Sequence, residues 1–211
     1  TPEHNAYPYN YMIGSEAQRR DAVDYLKLSL EMAKEMGAEF VLTSPANGGY
    51  LATYDQLWGR LEKNIQELGD YAAKLEIKLV VEALTPYESN FFTRANDLVE
   101  LFRRVDNPYV VGMCDIVPPF VQHESIMAYF DKLGNKMDHM HIIDGENGSD
   151  THMIPGEGNI PIKEMLYEMK RIGYDKTATL ELVTNYINEP RFYAKRAIDN
   201  MRELMAEAGI V

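Results

Sequence analysis

Hydrophobic residues recur along the chain with two alternating periods. The stretch from Gly14 to Gly37 repeats apolar residues at helical spacing after a serine that suits an N-cap, and it stops at a glycine. The next stretch, from Glu39 to Ser44, is short and rich in β-forming residues, and the turn-forming sequence PANGGY follows it. These patterns predict a helix followed by a buried strand.

The same alternation continues to the C-terminal end of the sequence. The later predicted helices span approximately Asp55–Leu75, Asn96–Val105, Glu124–Leu133, Ile162–Ile172 and Pro190–Ala208. The predicted strands between them are Ile77–Leu84, Tyr109–Val117, Met137–Asp144 and Ala178–Val183. Strands that alternate with amphipathic helices form parallel sheets with right-handed crossovers. The sequence therefore predicts an α/β fold, and no linker interrupts residues 1–211, so we expect a single domain.

Charge and cysteine content exclude several classes of partner. The 33 acidic and 21 basic side chains give a formal net charge of -12, which repels nucleic acid and anionic membrane surfaces. No apolar run approaches the roughly 20 residues that a membrane span needs. Cys114 is the single cysteine, so it forms no intrachain disulfide and suits a reducing compartment. We therefore expect a cytoplasmic protein that binds neither nucleic acid nor membrane.

Polar side chains stand at the ends of four successive predicted strands. They are Glu82, Asp115, His141 and Glu181. A single acid at a strand end is usually solvated and a single histidine is usually structural, but in a (β/α)8 barrel the carboxyl ends of the strands converge on one mouth. Three carboxylates and one imidazole predict a site for one divalent cation, with Mn²⁺, Mg²⁺ or Co²⁺ favoured and Zn²⁺ still open. His139, two residues before His141, is expected to be a hydrogen-bonded core residue.

This strand-end set, with PGEGNIPI after the histidine strand and LEL on the last strand, resembles the xylose-isomerase-like TIM-barrel superfamily of sugar isomerases and epimerases. Further segments resemble the members of that superfamily that act on fructoselysine, namely NAYPYNYMIG, WGRLEKNI, EALTPYESN, AYFDKLG, SDTHMIPGEG and ELVTNYINEPR. The likeness begins at Thr1 and implies a (β/α)8 TIM barrel of which this chain supplies the C-terminal five β/α units. We expect three more units upstream, on the order of 60 to 70 residues.

The resemblance implies a metal-dependent isomerase that inverts a carbon next to a ketone. It carries the metal ligands over as Glu82, Asp115, His141 and Glu181, and it places Glu88 at a substrate-contacting position. Inversion requires removal of a C–H proton from one face and return of a proton to the other, which Glu82 and Glu181 are expected to perform. The cation would stabilise the negative charge of the enediolate between the two steps.

Two departures from the superfamily pattern bear on the substrate. Pro118 stands where tagatose-type 3-epimerases have a histidine, and His152 replaces their substrate-binding arginine. We expect His152, Tyr186 and Asn188 to contact the substrate. The preferred reaction is epimerisation of fructoselysine to psicoselysine at C3, and the alternative is a free-ketose 3-epimerase or sugar isomerase. The partner is then a small-molecule sugar, and we expect a homo-oligomer.

Two rival functions remain. The pattern HIID, DTH and PGEG also resembles the endonuclease IV family of DNA repair enzymes, which use a three-metal cluster. Asn47 and Pro118 stand where that family needs histidine ligands, and the net charge of -12 also disfavours DNA binding. A catalytically inactive scaffold would have lost metal ligands, but all four are present.

Overall fold

The computed structural model describes residues 7–146, 148–183 and 186–210. The helices are α1 (Glu16–Glu35), α2 (Tyr54–Leu75), α3 (Ala95–Arg104), α4 (Val117–Val121), α5 (Met127–Leu133), α6 (Ile162–Ile172) and α7 (Pro190–Glu207). The strands are β1 (Phe40–Thr43), β2 (Lys78–Val81), β3 (Val110–Asp115), β4 (Met137–Ile142) and β5 (Thr177–Leu180). Thr1, at which the likeness to the superfamily begins, lies outside the described residues.

The strands follow the order β1-β2-β3-β4-β5 in the sheet. Parallel pairing joins β1 to β2, β2 to β3, and β4 to β5. This topology confirms the predicted α/β fold with parallel strands. The chain divides into two compact units, residues 1–113 with 132–138 and residues 114–131 with 139–211.

In the first unit, α1 and α2 pack together and cover β1 and β2. Each helix begins with a capping box. Ser15 Oγ accepts from Gln18 N at 3.3 Å, and Thr53 Oγ1 accepts from Gln56 N at the same distance. The apolar stripe of α2 is buried, including Trp58 near its start. Side-chain capping and burial of this stripe together account for the position of the two helices.

In the second unit, α6 and α7 pack against each other. Helix α6 buries Ile162, Met165, Leu166 and Met169, and it ends at Gly173, whose φ of 72° suits a C-terminal cap. Strand β5 pairs with β4 in register, with His141 opposite Thr179. No helix in the described part of the chain combines the length and apolar content needed to cross a membrane.

The predicted strands extend too far at their carboxyl ends. Strand β3 was expected to reach Val117, but it ends at Asp115 because the side chain of Asp115 accepts a hydrogen bond from Val117 N at 2.8 Å. Helix α4 begins there, with Pro118 and Pro119 in its first turn, where proline is tolerated. The first strand is also less buried than predicted, since Phe40–Leu42 are half-buried.

Candidate active site

Three of the four strand-end residues lie together in the second unit. Asp115 is the last residue of β3, His141 is the penultimate residue of β4, and Glu181 directly follows β5. His141 Nδ1 lies 3.1 Å from Glu181 Oε2 and 3.7 Å from Asp115 Oδ2. The pairing of β4 with β5 brings His141 and Glu181 to the same end of the sheet. The structure therefore gathers two carboxylates around one imidazole nitrogen.

His152 joins this group from the loop after β4. Its Nε2 atom lies 3.2 Å from Glu181 Oε2 and 4.0 Å from Asp115 Oδ2. Its Nδ1 atom lies 3.2 Å from Asp150 Oδ1 on the other side of the ring. Sequence reasoning placed His152 among the substrate-binding residues and did not foresee its contact with Glu181. The long separation of 29 residues between the two positions leaves no local signal for that contact.

The electrostatics of this cluster favour charged side chains. Burial opposes protonation of His152, but hydrogen bonds with Asp150 and Glu181 outweigh it and raise the pKa of His152 to about 10. Burial would raise the pKa of Glu181, but hydrogen bonds from His141 and His152 outweigh burial and lower that pKa well below its usual range. Glu181 is therefore an ionised carboxylate at neutral pH.

The donor set fits a divalent cation. One ligand atom from each of Asp115, His152 and Glu181 lies within 4.8 Å of the other two. His141 Nδ1 lies within the same short range of Asp115 and Glu181. Carboxylate oxygens and imidazole nitrogens are ligands for Mn²⁺, Co²⁺ and Zn²⁺ in proteins. The cluster is an acidic and histidine site of the kind that the sequence predicts.

Two predicted site residues belong to the first unit. Glu82 directly follows β2, its side chain is buried, and its backbone N–H donates to Thr43 O at 3.0 Å. Its role as a metal ligand stays a prediction. Glu88 lies in the next turn, where its Oε2 atom accepts hydrogen bonds from Thr85 N at 3.1 Å and Thr85 Oγ1 at 2.9 Å. The Glu88 carboxylate thus stabilises its own turn.

The remaining predicted substrate contacts follow β5 in the second unit. The Tyr186 hydroxyl accepts a hydrogen bond from Ile154 N at 3.1 Å, which ties this segment to the loop that carries His152. Asn188 is exposed. Tyr186 therefore has a structural contact, and Asn188 has a side chain available to solvent.

His139 is a buried, hydrogen-bonded residue, as predicted. Its Nδ1 atom lies 2.7 Å from Thr177 Oγ1, and its Nε2 atom lies 3.1 Å from Thr179 Oγ1. The ring meets His141 edge to face at a centroid distance of 5.5 Å. These contacts fix the His139 ring next to His141, the proposed metal ligand, because both nitrogens of His139 bond to hydroxyl groups of β5.

Asp144 organises the loop after β4, and sequence reasoning assigned it no role. Its side chain is 1% exposed. Oδ1 accepts from Gly145 N and Ile160 N, both at 2.9 Å, and Oδ2 accepts from Gly156 N at 2.8 Å. Its backbone also pairs with that of Met153 through bonds of 2.8 and 2.7 Å. An aspartate directly before glycine at a strand end was the available sequence signal, since aspartate often bonds to nearby backbone N–H groups.

Comparison with known proteins identifies the family and the fold of the chain. Residues 2–204 match the family described as xylose isomerase-like TIM barrel. Fructoselysine 3-epimerase from Shigella flexneri is 48% identical over 207 residues, which cover 98% of this chain and 75% of that protein. D-psicose 3-epimerase with D-tagatose from Clostridium cellulolyticum H10 has a similar structure, with a TM-score of 0.79 and 18% identity over 95% of this chain and 76% of that one.

A crystal structure of an IolI protein with a bound zinc atom is also similar. Its TM-score is 0.76 at 19% sequence identity, and the match covers 94% of this chain and 73% of that one. At such low identity the two structural matches concern the fold. The sequence matches extend over nearly the whole chain, and the parallel strands of the structure agree with them. The chain therefore belongs to the xylose isomerase-like TIM barrel family.

Proposed function

We propose that this chain is a metal-dependent sugar 3-epimerase that inverts C3 of a ketose derivative. The observation that carries the proposal is the convergence of Asp115, His141 and Glu181. His141 Nδ1 lies 3.1 Å from Glu181 Oε2 and 3.7 Å from Asp115 Oδ2. The 48% identity to a fructoselysine 3-epimerase over 98% of the chain supports it independently. The preferred reaction is the conversion of fructoselysine to psicoselysine.

Asp115, His141 and Glu181, together with Glu82, would hold one divalent cation. When bound, that cation would polarise the ketone oxygen and lower the free energy of the adjacent carbanion. Its identity stays open among Mn²⁺, Mg²⁺, Co²⁺ and Zn²⁺, since carboxylates and imidazoles serve all four to different degrees.

Glu181 and Glu82 are the proposed acid/base pair. One carboxylate removes the C3 proton, which leaves an enediolate across C2 and C3, and the other group delivers a proton to C3 from the opposite face. As a ligand of the cation Glu181 would be an ionised carboxylate, so it would begin a turnover ready to accept a proton. A proton transfer of this type requires the carboxylate oxygen to lie about 3 Å from C3, the carbon that loses the proton.

A cationic substrate tail fits the segment after β5. Asn188 and Glu189 are both exposed there, in the same unit as Glu181. Fructoselysine carries a secondary ammonium on C1, the carbon next to the C2 ketone, and an amino acid beyond it, so an exposed carboxylate and amide offer complementary contacts. The alternative is a free-ketose 3-epimerase or isomerase, which would gain nothing from Glu189.

Deuterium exchange tests the proposed reaction. The metal-loaded protein is incubated in D₂O with fructoselysine, fructose, tagatose or psicose, and deuterium at C3 is followed by NMR. We expect exchange into fructoselysine and much less into the free ketoses. Exchange into the free ketoses alone would establish the alternative, and no exchange with any substrate would overturn the epimerase assignment.

A substitution in the exposed segment after β5 tests the contact with the cationic substrate tail separately. Glu189→Gln is expected to raise KM for fructoselysine several-fold, because one charged contact is lost, and to leave kcat nearly unchanged. Glu203→Gln, which removes an exposed carboxylate from α7, is the matched control and should change neither constant. Equal KM values for both variants would remove Glu189 from the substrate site.

A further inference from the structure

We propose that a cleft between α1 and α2 binds the phosphate group of a small molecule. The cleft has a volume of about 370 Å³, and residues from the N-terminal halves of both helices line it. They include Arg19 of α1 and Gly59, Arg60 and Lys63 of α2. The cleft lies within the first unit and shares no residue with the candidate active site, so the proposal does not depend on the epimerase reaction.

Two arginines of the cleft carry charges that no described carboxylate matches. Arg60 Nη1 donates a hydrogen bond to Met12 O at 2.8 Å, and Arg19 Nη1 donates one to Gly14 O. Both acceptors are uncharged main-chain carbonyls, and neither guanidinium forms an ion pair within the described part of the chain. Arg20, the third arginine of the cleft, is instead paired with two carboxylates. The cleft therefore holds unmatched positive charge in a chain whose formal net charge is -12.

The two unmatched arginines lie close enough to repel each other. Burial is the larger cause of a lowered pKa at Arg60, and the charge of Arg19 lowers that pKa further. Guanidinium groups stay protonated at neutral pH, so their repulsion persists until an anion lies near both. Lys63 adds a third cation. Its contact with Glu16, at 3.6 Å between two largely exposed side chains, contributes little, so its ammonium group is available to an anion.

Gly59 leaves one side of the cleft open. Glycine in the interior of a helix is less favourable than alanine, yet Gly59 occupies such a position in α2. Apart from the helix itself, no described atom lies within 4 Å of a Cβ added there, and the φ of Gly59 is not left-handed. Neither packing nor backbone conformation therefore accounts for this glycine. Its missing side chain leaves space in which a ligand can reach the neighbouring Arg60.

The groups of the cleft suit a phosphate. A guanidinium donates paired hydrogen bonds to two phosphate oxygens, and a lysine ammonium binds phosphate as a point charge. Because the N-terminal halves of two helices line the cleft, the helix dipoles also favour an anion there. A cleft of this volume holds inorganic phosphate or the phosphate of a small monoester, such as a sugar phosphate.

Titration with two phosphate compounds tests the cleft. In ¹H–¹⁵N NMR of the full chain, inorganic phosphate should shift the amide signals of Gly59 and Lys63, and the shifts should saturate at millimolar concentration. Lys63→Gln should raise Kd about 2–5-fold, because one exposed charge is lost, and Arg60→Gln should raise it about tenfold or more. Lys74→Gln, at an exposed position in the last turn of α2, is the matched control and should leave Kd unchanged. Glucose 6-phosphate is the second compound. Tighter binding than that of inorganic phosphate would identify a sugar phosphate as the ligand, and binding that is no tighter would identify free phosphate.

Gly59→Leu tests the cleft without removing a charge. Leucine favours a helix more than glycine does, so the variant should fold and keep a Tm at least as high as that of the wild type. Its side chain should fill the cleft and abolish the saturable shift at Lys63. Wild-type affinity for phosphate in Gly59→Leu would overturn the proposal. Shifts that do not saturate, or the same Kd in Lys63→Gln and Lys74→Gln, would indicate an adventitious ion only and would also overturn it.

Discussion

Replacing Asp144 with asparagine tests how the loop after β4 is held in place. The substitution keeps the size of the side chain but exchanges one acceptor oxygen for an NH₂ donor. If the amide oxygen takes the place of Oδ1, it keeps the bonds from Gly145 N and Ile160 N. The new NH₂ group then faces Gly156 N–H, and two buried donors oppose each other.

The cost follows from these bonds. A hydrogen bond to a charged acceptor contributes about 1.5–3 kcal/mol, and leaving a buried donor unsatisfied adds a penalty of similar size. We therefore expect Asp144→Asn to lower the free energy of unfolding by about 2–4 kcal/mol. For a chain of this size, each kcal/mol shifts Tm by about 2–4 °C, so Tm should fall by about 4–16 °C.

The assay is thermal and urea denaturation followed by circular dichroism, in the presence of a chelator so that metal binding does not contribute. Glu146→Gln is the matched control, since it makes the same charge change in the same loop at an exposed position. Its unfolding free energy should change by no more than about 0.5 kcal/mol. Equal stability of the Asp144 and Glu146 variants would refute the assigned role of the Asp144 carboxylate.

Three further changes have defined outcomes. Glu181→Gln should fold normally and lose about 10³-fold or more in C3 deuterium exchange, because an acid/base group and a charged ligand are removed together; near-normal exchange would remove Glu181 from the site. His139→Asn should cost about 1–3 kcal/mol of stability through its lost hydroxyl contacts and leave the metal content unchanged, so loss of exchange at unchanged stability and metal content would contradict its structural role. A hydrogen bond from Arg20 is the largest influence on the pKa of Glu67 and lowers it. Burial raises this pKa by less, and a hydrogen bond from Lys27 lowers it further, so that the pKa is about 2, below the unfolded value of 4.5. Glu67 therefore contributes stability above pH 4.5 that is lost as pH falls toward 2, and Glu67→Gln should cost about 1 kcal/mol at pH 7 and progressively less in acid; a pH-independent difference in urea denaturation would contradict this.

Most of the helices and the parallel pairing of the strands follow from the sequence. The capping serine of α1 and the helical spacing in α6 predict those elements to within two residues, because local side-chain contacts and amphipathic burial determine them. Strand ends are predicted less well. At Asp115 a side-chain hydrogen bond to Val117 N ends β3, and a hydrophobicity pattern carries no information about that bond.

The candidate site follows only partly from the sequence. Strand-end positions predict that Asp115, His141 and Glu181 meet, because parallel strands align their carboxyl ends. The contact of His152 with Glu181 depends on the conformation of a loop, including a left-handed backbone at His152 itself. Such a contact arises from tertiary structure, so residue spacing alone does not predict it.

Counting the divalent metal bound per chain tests the central claim most directly. The chain is loaded with Mn²⁺, Co²⁺ or Zn²⁺, dialysed and analysed by elemental mass spectrometry, alongside His141→Ala as the variant that lacks a proposed ligand. The proposed epimerase site predicts about one bound ion per chain, lost in His141→Ala. No retained metal, or about three ions per chain as in the rival nuclease assignment, would contradict the account.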